Sequence, residues 1–275
     1  MFTTFHQSFS YEDFIEGIKP IVEVNELFPE KGKHVIYDVK PGVFKKIVSE
    51  AINDPDNNYA IFIDEINRGN ISNIFGELIT LIEPDKRIGM ENYIPVELPY
   101  SGKEFGVPKN LYIIGTMNTA DRSVEALDTA LRRRFSFVEI CPDPERLSDP
   151  QFICDGIEIN KLLKSINDRI EKLLDKDYCI GHSYFMTIKD RQNPLKELIS
   201  IFKNNILPLM QEYFYGDWGK IMLVLGKGLV EKRTDAVKFL CTDLYDDYEA
   251  YDDKPIYHFT DSTNWTKATF KAIYE

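Results

Sequence analysis

The chain has 275 residues, of which 43% are hydrophobic and 28% are charged, and it carries 18 Phe and 15 Tyr. This composition is typical of a globular protein with a sizeable core and excludes an intrinsically disordered chain. The formal net charge of -12 disfavours a protein that grips nucleic acid unaided, because the phosphate backbone requires clusters of Lys and Arg.

The first half of the chain shows alternating strand and helix patterns. In chain order we predict a strand at 3–9, a helix at 11–18 with Ser10 as its N-cap, an irregular stretch at 20–33, a strand at 34–39, a helix at 42–52, a strand at 59–63, a helix at 71–82, a hairpin at 96–105, a strand at 111–116, a helix at 124–131 and a strand at 135–140. The runs 59–63 and 111–116 are nearly continuously apolar, which is typical of buried parallel strands.

The pattern changes after Pro144. Long helices are predicted at 157–174 and at 195–214, the second interrupted at Pro208, and the apolar run 220–230 fits either a helix or a strand. We therefore predict an α/β part at 1–143, a helical part at 144–235 and an acidic C-terminal extension at 236–275.

The cysteines and the chain termini bear on the compartment. Cys141, Cys154, Cys179 and Cys241 form no Cys-x-x-Cys pair, so we expect small apolar thiols in a reducing cytoplasm and no structural metal site. The N-terminus lacks the pattern of a signal peptide, and no apolar run approaches the ~20 residues that span a bilayer. These features favour a cytoplasmic protein that makes no use of a membrane.

Two adjacent carboxylates end the apolar run 59–63. Asp64 is fixed by the strand where it can hold the water shell of Mg²⁺, and Glu65 can orient an attacking water for phosphoanhydride hydrolysis. Two acidic residues at a strand end can equally begin an ordinary turn. Asn67 and Arg68 follow directly, and such polar side chains contribute little to a core.

A second polar cluster follows the strand predicted at 111–116. Because the carboxyl ends of parallel strands meet at one sheet edge, Asn118 is expected near Asp64, where it can hydrogen-bond the attacking water or a γ-phosphate. The alternative for Asn118 is a local turn or a helix cap. Arg132, Arg133 and Arg134 form a third cluster, which fits either an arginine finger or a basic helix end.

These segments together resemble McrB-type AAA+ GTPases, the motor subunits of modification-dependent restriction systems. The resemblance is carried by Ala-Ile-Phe-Ile-Asp-Glu-Ile-Asn-Arg-Gly-Asn at 60–70, Met-Asn-Thr-Ala-Asp-Arg-Ser at 117–123 and Leu-Asp-Thr-Ala-Leu-Arg-Arg-Arg-Phe at 127–135. Segments 180–185 and 212–218 resemble the helical lid of the family, and 5–14 resembles the strand that follows its first helix. The resemblance implies an α/β fold, with an AAA+ parallel-sheet core followed by a helical lid.

The resemblance also implies roles for matched residues. Asp64 and Glu65 would be the Walker B pair, with Asp64 holding Mg²⁺ through water. Asn118 would be the sensor 1 residue, in a signature that Asp121 and Arg122 complete. The remaining assignments concern subunit contacts near a nucleotide: Arg133 and Arg134 as arginines acting on a neighbour's nucleotide, and Asn67 and Arg68 at the interface. His182 would be either a structural or a functional lid residue.

The phosphate-binding motif of the family, Gly-x-x-x-x-Gly-Lys-[Ser/Thr], is absent from the sequence. In the family this loop precedes the segment matched by 5–14, and its strand lies between the strands matched by 111–116 and 135–140. Without that strand, the two must pair directly or leave a gap or an open edge. Because the loop supplies N–H groups and a lysine to the phosphates, we expect the chain alone to bind nucleotide weakly or not at all.

Three functions remain in view. The first is a GTP- or ATP-hydrolysing motor of a restriction system, complete only with the missing loop. Its family implies Mg²⁺, a homo-oligomeric ring, expected to be a hexamer, a McrC-like endonuclease partner and only indirect contact with DNA. The second is a non-catalytic assembly subunit that gives arginines in trans to a partner ring. The third, a DNA-binding structural protein, lacks a basic helix or an aromatic platform in the sequence.

Overall fold

A computed structural model describes residues 1–24, 33–120, 129–233, 240 and 255–275. The chain divides into two compact units, Met1–Val138 and Glu139–Glu275. Among the helices in these ranges, none combines the length and the apolar character needed to cross a bilayer.

The first unit alternates strands with helices. In chain order its elements are β1 (Phe2–Thr4), α1 (Tyr11–Phe14), β2 (Glu16–Val24), β3 (Lys33–Pro41), α2 (Val43–Asn53), β4 (Tyr59–Asp64), α3 (Ile71–Phe75), β5 (Val96–Glu97), β6 (Glu104–Phe105), β7 (Leu111–Gly115) and α4 (Thr129–Arg132). Short 3₁₀ turns lie between them at Ile66–Arg68, Gly76–Ile79 and Pro84–Lys86.

A parallel sheet in the order β1-β4-β7 is the frame of this unit. In register, Phe2 lies beside Phe62, and Phe62 lies beside Ile114. The predicted strands 59–63 and 111–116 are confirmed, because apolar runs of this length are stable only when a sheet neighbour satisfies their backbone groups. The unit is an α/β fold, as predicted.

The two faces of the sheet differ in burial. Ile61, Ile63 and Leu111 are fully buried in a core to which α1, α2 and α3 contribute the rings of Phe14, Phe44 and Phe75, the first two stacked and the third tilted against them. The opposite face exposes an apolar row across all three strands, with exposed fractions of 67% for Phe2, 44% for Phe62 and 41% for Ile114. Parallel sheets ordinarily bury both faces, so this row is an unusual exposed surface.

The prediction of a helix at 11–18 followed by an irregular stretch at 20–33 was wrong in part. The helix ends at Phe14, and Glu16–Val24 forms a strand that pairs antiparallel with Lys33–Pro41. Pro20 suggested a break, but a two-stranded ribbon tolerates proline because each strand has an edge without hydrogen bonds. The partner strand, predicted at 34–39, is confirmed as β3, but nothing in the local pattern around Pro20 indicated a strand to pair with it.

Of three other predictions in this unit, one is shortened, one is confirmed and one is described only at its end. The predicted helix 71–82 ends early, since Phe75 leads into a 3₁₀ turn at Gly76, whose φ is +51°. The hairpin predicted at 96–105 is confirmed as β5 and β6. Most of the predicted helix 124–131 lies outside the described residues, and its described end is α4.

The predicted strand at 135–140 was wrong. Residues 136–140 have no strand partner, and Val138 and Ile140 are 83% and 90% exposed. β7 pairs on one side with β4 and has no described strand on its other side. The apolar pattern is that of a strand, but a strand needs a neighbour to accept its hydrogen bonds, and an open edge remains instead.

The second unit is mostly helical. Its elements are β8 (Ile153–Cys154), β9 (Ile157–Glu158), α5 (Ile159–Leu173), α6 (Pro194–Ile201), α7 (Leu207–Tyr213), α8 (Trp218–Leu225), β10 (Val230–Lys232), β11 (Tyr257–Phe259) and α9 (Lys267–Lys271). Shorter turns occupy Pro144–Leu147, Pro150–Phe152, Lys176–Tyr178, His182–Asp190 and Ser262–Asn264. The ambiguous run 220–230 is thus a helix followed by the start of a strand.

The long helix predicted at 195–214 is continuous but irregular. α6 runs into a π turn at Phe202–Ile206, which leads directly into α7. Pro208 lies just after that turn and has no N–H to donate to the carbonyl of Asn204, four residues before it. The break expected at the proline is therefore absorbed as a local widening of the helix.

Asn167 holds the loop after α5. Its side chain is almost fully buried, accepts a hydrogen bond of 2.8 Å from the Ile180 N–H and donates one of 2.9 Å to the Ile180 carbonyl. A buried amide that makes both bonds costs little, because its polar atoms are satisfied. Cys154 in β8 is also buried in this unit, and burial raises the pKa of its thiol to about 12.

The described end of the chain belongs to this second unit. β11 pairs antiparallel with β10, and the Phe270 ring of α9 packs edge-on against Phe202 at 4.9 Å between centroids. Tyr274 accepts a hydrogen bond from the Glu158 N–H. The acidic run 243–253 lies outside the described residues.

Candidate functional site

The ends of β4 and β7 bring the side chains of Asp64 and Thr116 together. Ile63 and Gly115 are in register, so Asp64 and Thr116 leave the sheet side by side. The Thr116 hydroxyl donates a hydrogen bond of 2.5 Å to Asp64 Oδ1. Adjacent parallel strands therefore deliver a carboxylate and a hydroxyl to one point.

Glu65 has an unusual backbone conformation. Its φ of +53° lies in the left-handed region, which is rare for a residue with a side chain. The conformation is held from both sides, because the Phe5 N–H donates to the Asp64 carbonyl and the Ile66 N–H donates to the Thr116 carbonyl. Such strain persists only where surrounding bonds enforce it, and it is concentrated at functional sites.

The carboxylate of Glu65 lies next to Arg68. Glu65 Oε2 is 3.2 Å from Arg68 Nε, an ion pair across the 3₁₀ turn Ile66–Arg68. Among the described residues, Asn67 Oδ1 is a buried atom with no hydrogen-bond partner, whereas Glu65 Oε2 has the Arg68 guanidinium as its charged neighbour. Buried oxygens without a donor are expensive and therefore indicate a place where a water or a ligand is expected.

Asn118 is exposed beyond the end of β7, and its Oδ1 accepts a hydrogen bond of 3.1 Å from the Ala120 N–H. The turn that was the alternative interpretation of Asn118 is therefore present. Asn118 nevertheless lies only three residues after Gly115, at the end of the strand that pairs with the Asp64 strand. Asp121 and Arg122, predicted with it, lie outside the described residues.

The arginine cluster separates into distinct environments. Arg134 Nε lies 2.7 Å from Glu83 Oε1, and the Arg134 side chain is nearly buried. Arg133 is exposed, and the Arg132 guanidinium stands 5.8 Å from the centroid of the Phe137 ring. The three arginines thus lie in different environments, and only Arg134 is largely buried.

His182 has a structural contact in the second unit. Its Nδ1 accepts a hydrogen bond of 3.1 Å from the Asp143 N–H. The bond requires a ring whose Nδ1 is unprotonated. Of the two roles left open for His182, this contact illustrates the structural one.

The site fits Mg²⁺ only in part. No group of three or more His, Cys, Asp or Glu residues lies together in the described ranges, so these residues offer no ready-made cage of direct ligands. Mg²⁺ usually keeps several waters and takes one or two carboxylates plus substrate phosphates. Asp64, in the same strand-end segment as Asn67 with its unsatisfied Oδ1, fits that second arrangement.

Two residues with definite contacts at these positions carried no predicted role. Thr116 was regarded as the end of a strand, and Glu83 was not considered at all. Thr116 had a weak signal, since it stands between the apolar run and Asn118. Nothing in the sequence indicated Glu83, because its partner lies 51 positions away.

Many α/β folds place polar residues at the ends of parallel strands, and comparison with known families identifies the one to which this chain belongs. Residues 3–135 match the model described as AAA domain (dynein-related subfamily), and residues 158–222 match the model described as McrB, alpha-helical lid domain. The chain is a McrB-type AAA+ protein. The order of the two matches, core first and lid second, is the order expected from the sequence.

Similar proteins agree with this family. The chain is 39% identical over 231 residues to the Type IV methyl-directed restriction enzyme EcoKMcrB subunit of Escherichia coli (strain K12), which covers 78% of this chain and 46% of that protein. It is 26% identical over 241 residues to the Type II restriction enzyme BsuMI component YdiS of Bacillus subtilis (strain 168), covering 76% of this chain and 68% of that protein. This McrB-type chain thus spans about half the length of the Escherichia coli relative.

A solved structure of an ATPase candidate from Cytophaga hutchinsonii is also similar, at 15% identity, with 74% of this chain and 62% of that chain covered. The TM-score is 0.28, and at that value the likeness adds nothing to the family assignment.

Proposed function

We propose that this chain is the hydrolysis part of an AAA+ nucleoside triphosphatase motor that serves a modification-dependent DNA restriction system. The observation that carries the proposal is the meeting of Asp64 and Thr116 at the ends of two parallel strands, with the strained Glu65 beside them. The matches to an AAA core and to a McrB lid support the same function.

The residues have separate roles in this proposal. Mg²⁺ bound with GTP or ATP would supply charge neutralisation at the phosphates. Asp64 would accept hydrogen bonds from the waters of that ion, and Glu65 would orient the attacking water. Asn118 donates from its amide to the same water or to a terminal phosphate oxygen. Asn67 lies two residues beyond Glu65, where its unsatisfied Oδ1 can accept a further hydrogen bond.

Subunit contact is the second half of the proposal. We place the chain in a homo-oligomeric ring, a hexamer by analogy with the family, with a McrC-like endonuclease as its partner and DNA contacted only indirectly. Arg133 and Arg134 belong to the edge that faces a neighbour's nucleotide, with Arg68 at the same interface. Asp121 and Arg122 complete the signature that begins at Asn118.

The open edge of β7 and the apolar row on the sheet support the need for a further segment. A strand placed beside β7 would satisfy its unpaired backbone groups, and a following helix would cover Phe2, Phe62 and Ile114. A phosphate-binding loop lies between such a strand and helix in this fold class. The loop would therefore reach the Asp64 end of the sheet.

Isothermal titration with GTP and with ATP in Mg²⁺ tests the proposal. The titrations compare this chain with a version extended upstream through a phosphate-binding loop of the family, which we call the extended chain. We expect binding and hydrolysis by the extended chain only. A Glu65→Gln variant of the extended chain should bind nucleotide and lose hydrolysis, since the amide cannot act as a base. Tight Mg-dependent binding by the short chain would overturn the need for the loop.

A second candidate function is a non-catalytic assembly subunit that gives arginines in trans to a partner ring. The exposed side chain of Arg133 favours it. Mixing this chain with a full-length relative distinguishes the two functions, because an assembly subunit changes the relative's hydrolysis rate without hydrolysing nucleotide itself. An unchanged rate in the mixture would contradict the trans role.

A further inference from the structure

Thr116 joins the end of β7 to the acidic end of β4. Its hydroxyl donates to Asp64 Oδ1 at 2.5 Å, and two backbone bonds of 2.9 Å frame that contact, from the Thr116 N–H to the Ile63 carbonyl and from the Ile66 N–H to the Thr116 carbonyl. The side-chain bond thus lies inside a fixed backbone frame. A side chain in such a frame can set the direction of its partner with little loss of entropy.

The backbone beside Thr116 lies close to the turn after Glu65, although the Thr116 side chain itself is exposed. A Cβ added to Gly115 would lie 2.8 Å from Ile66 Cδ1, closer than real Cβ contacts, so the strand end and the turn after Glu65 are in direct contact. The left-handed backbone of Glu65 is enforced by the same turn.

An aspartate carboxylate has little preference of its own for one rotation about its last torsion angle. Each of its oxygens offers two lone pairs, and a single donor to Oδ1 selects one rotation while leaving Oδ2 open. The Thr116 hydroxyl is such a donor, and it approaches from the neighbouring strand. The orientation of Oδ2 is then determined by Thr116.

We propose that Thr116 is a positioning residue, whose hydroxyl orients the Asp64 carboxylate so that Oδ2 accepts from the hydrated metal ion that accompanies the nucleotide. The inference rests on the proposed function, since it requires Asp64 to serve a metal. Thr116 itself does not touch the metal or the nucleotide. Groups that orient a metal-binding carboxylate in this way change metal affinity by about 10- to 100-fold when they are removed.

The contact is tested first on the chain as it stands. Thr116→Val keeps the shape and removes the hydroxyl, and Asp64→Ala removes the acceptor. We expect Thr116→Val to lower Tm by about 2–4 °C and to have no further effect in the Asp64→Ala background. Additive Tm shifts would show that the two side chains do not interact and would overturn the inference.

The positioning role is tested on the extended chain. We expect Thr116→Val to raise the Mg²⁺ concentration at half-maximal hydrolysis about tenfold, with the loss recovered at saturating Mg²⁺, and Thr116→Ser to restore the wild-type value. Binding of Mn²⁺ in the presence of nucleotide, followed by electron paramagnetic resonance, should weaken by a similar factor. If Thr116 had only a structural role, both variants would be less stable, but the Mg²⁺ concentration at half-maximal hydrolysis would not rise in Thr116→Val alone. That result would overturn the inference.

The two levels of failure are distinguishable. If the wild-type extended chain binds no nucleotide, the proposed function is overturned, and the inference falls with it. The other case is that the extended chain does bind and hydrolyse nucleotide. If its wild-type, Thr116→Val and Thr116→Ser forms then share one Mg²⁺ dependence and one Mn²⁺ affinity, the inference alone is overturned.

Discussion

Arg134 and Glu83 form an ion pair with 2.7 Å between Nε and Oε1, and only 7% of the Arg134 side chain is exposed. Arg133, the next residue towards the N-terminus, is exposed. The pair attaches the segment after α4 to the loop that follows the 3₁₀ turn Gly76–Ile79. Adjacent arginines of one motif thus serve different purposes in the isolated chain.

Replacing Arg134 should destabilise the first unit, whereas replacing Arg133 should not. Arg134→Ala leaves the Glu83 carboxylate without its charged partner, and we expect a loss of roughly 1.5–3 kcal/mol in the free energy of unfolding. Arg133→Ala should stay within about 0.5 kcal/mol of wild type. Urea denaturation of both variants measures the difference, with Glu83→Gln as the matched control for Arg134→Ala. Equal losses for the two arginines would contradict this division.

The same two positions should differ in catalysis when a ring is formed. In the extended chain, Arg133→Ala should lower kcat by about 10³-fold or more, as expected when an arginine finger is removed. Mixed rings test whether it acts in trans: an Arg133→Ala subunit combined with a Glu65→Gln subunit should recover hydrolysis at the interfaces where a wild-type arginine faces a wild-type Glu65. No recovery in any mixture would indicate action within one subunit.

Two neighbouring residues of β4 should differ in how much stability the protein loses when they are replaced by alanine. Ile61 is fully buried, so Ile61→Ala should cost roughly 2–5 kcal/mol. Phe62 points to the exposed face, and Phe62→Ala should change stability by about 0.5 kcal/mol at most while reducing the binding of a hydrophobic dye. Chemical denaturation and dye fluorescence measure the two effects. A large loss of stability in Phe62→Ala would show that the apolar row is already covered.

Glu16 should make the first unit sensitive to acid. Burial raises the pKa of Glu16, but hydrogen bonds donated by Lys45 Nζ and the Ser101 N–H outweigh burial and lower it below its usual value near 4.5. The unfolded chain therefore binds a proton more readily than the folded chain. The stabilisation is present above about pH 4.5 and is lost as the pH falls through the lowered pKa of the folded state.

Glu16→Gln tests that dependence. The variant should be less stable than wild type by roughly 1–3 kcal/mol at pH 7, because Lys45 loses its charged partner, and the difference should shrink at pH 3. Thermal unfolding across this range measures it, and exposed Glu50→Gln is the control that should follow wild type at every pH. A difference that stays constant down to pH 3 would exclude the ionised pair as its source.

Asn167 should be the most sensitive polar position of the second unit. Asn167→Ala leaves the buried N–H and carbonyl of Ile180 without partners, and we expect a loss of roughly 2–3 kcal/mol. Asn205→Ala, at an exposed position in the π turn, is the control and should be nearly neutral. Hydrogen exchange at the Ile180 amide should accelerate in Asn167→Ala only. Unchanged protection of that amide would contradict the role of the side chain.

The central strands of the first unit could be predicted from the sequence, whereas the structure of its outer segments could not. β4 and β7 were predictable because short, continuous apolar runs between polar residues have few alternatives to a buried strand. Of the β2–β3 pair, β3 was predicted at 34–39, whereas β2 was missed because Pro20 within it is typical of irregular chain and its stability comes from the partner strand. The run 135–140 has the right composition for a strand, yet no described neighbour supplies its hydrogen bonds.

The candidate site divides in the same way. Asp64, Glu65 and Asn118 could be selected because strand ends collect polar residues and the motif is specific. The contacts of Thr116 and Arg134 could not, since each depends on two strands or loops being placed to within a fraction of an ångström. Residue type and spacing suggest which side chains approach a site, but the hydrogen bonds that orient them follow only from the packed backbone.

The π turn at Phe202–Ile206 has a consequence for how this lid tolerates insertions and deletions. An α-helix turns by about 100° per residue, so one extra residue in the turn rotates everything after it by that amount. Leu198 before the turn and Met210 after it are both fully buried. Removing one residue from 202–206 would give a more regular helix but would rotate Leu207 and Met210 away from the core. The apparent irregularity keeps two halves of one helix in phase with a single hydrophobic core, and a shorter, tidier chain would fold less well.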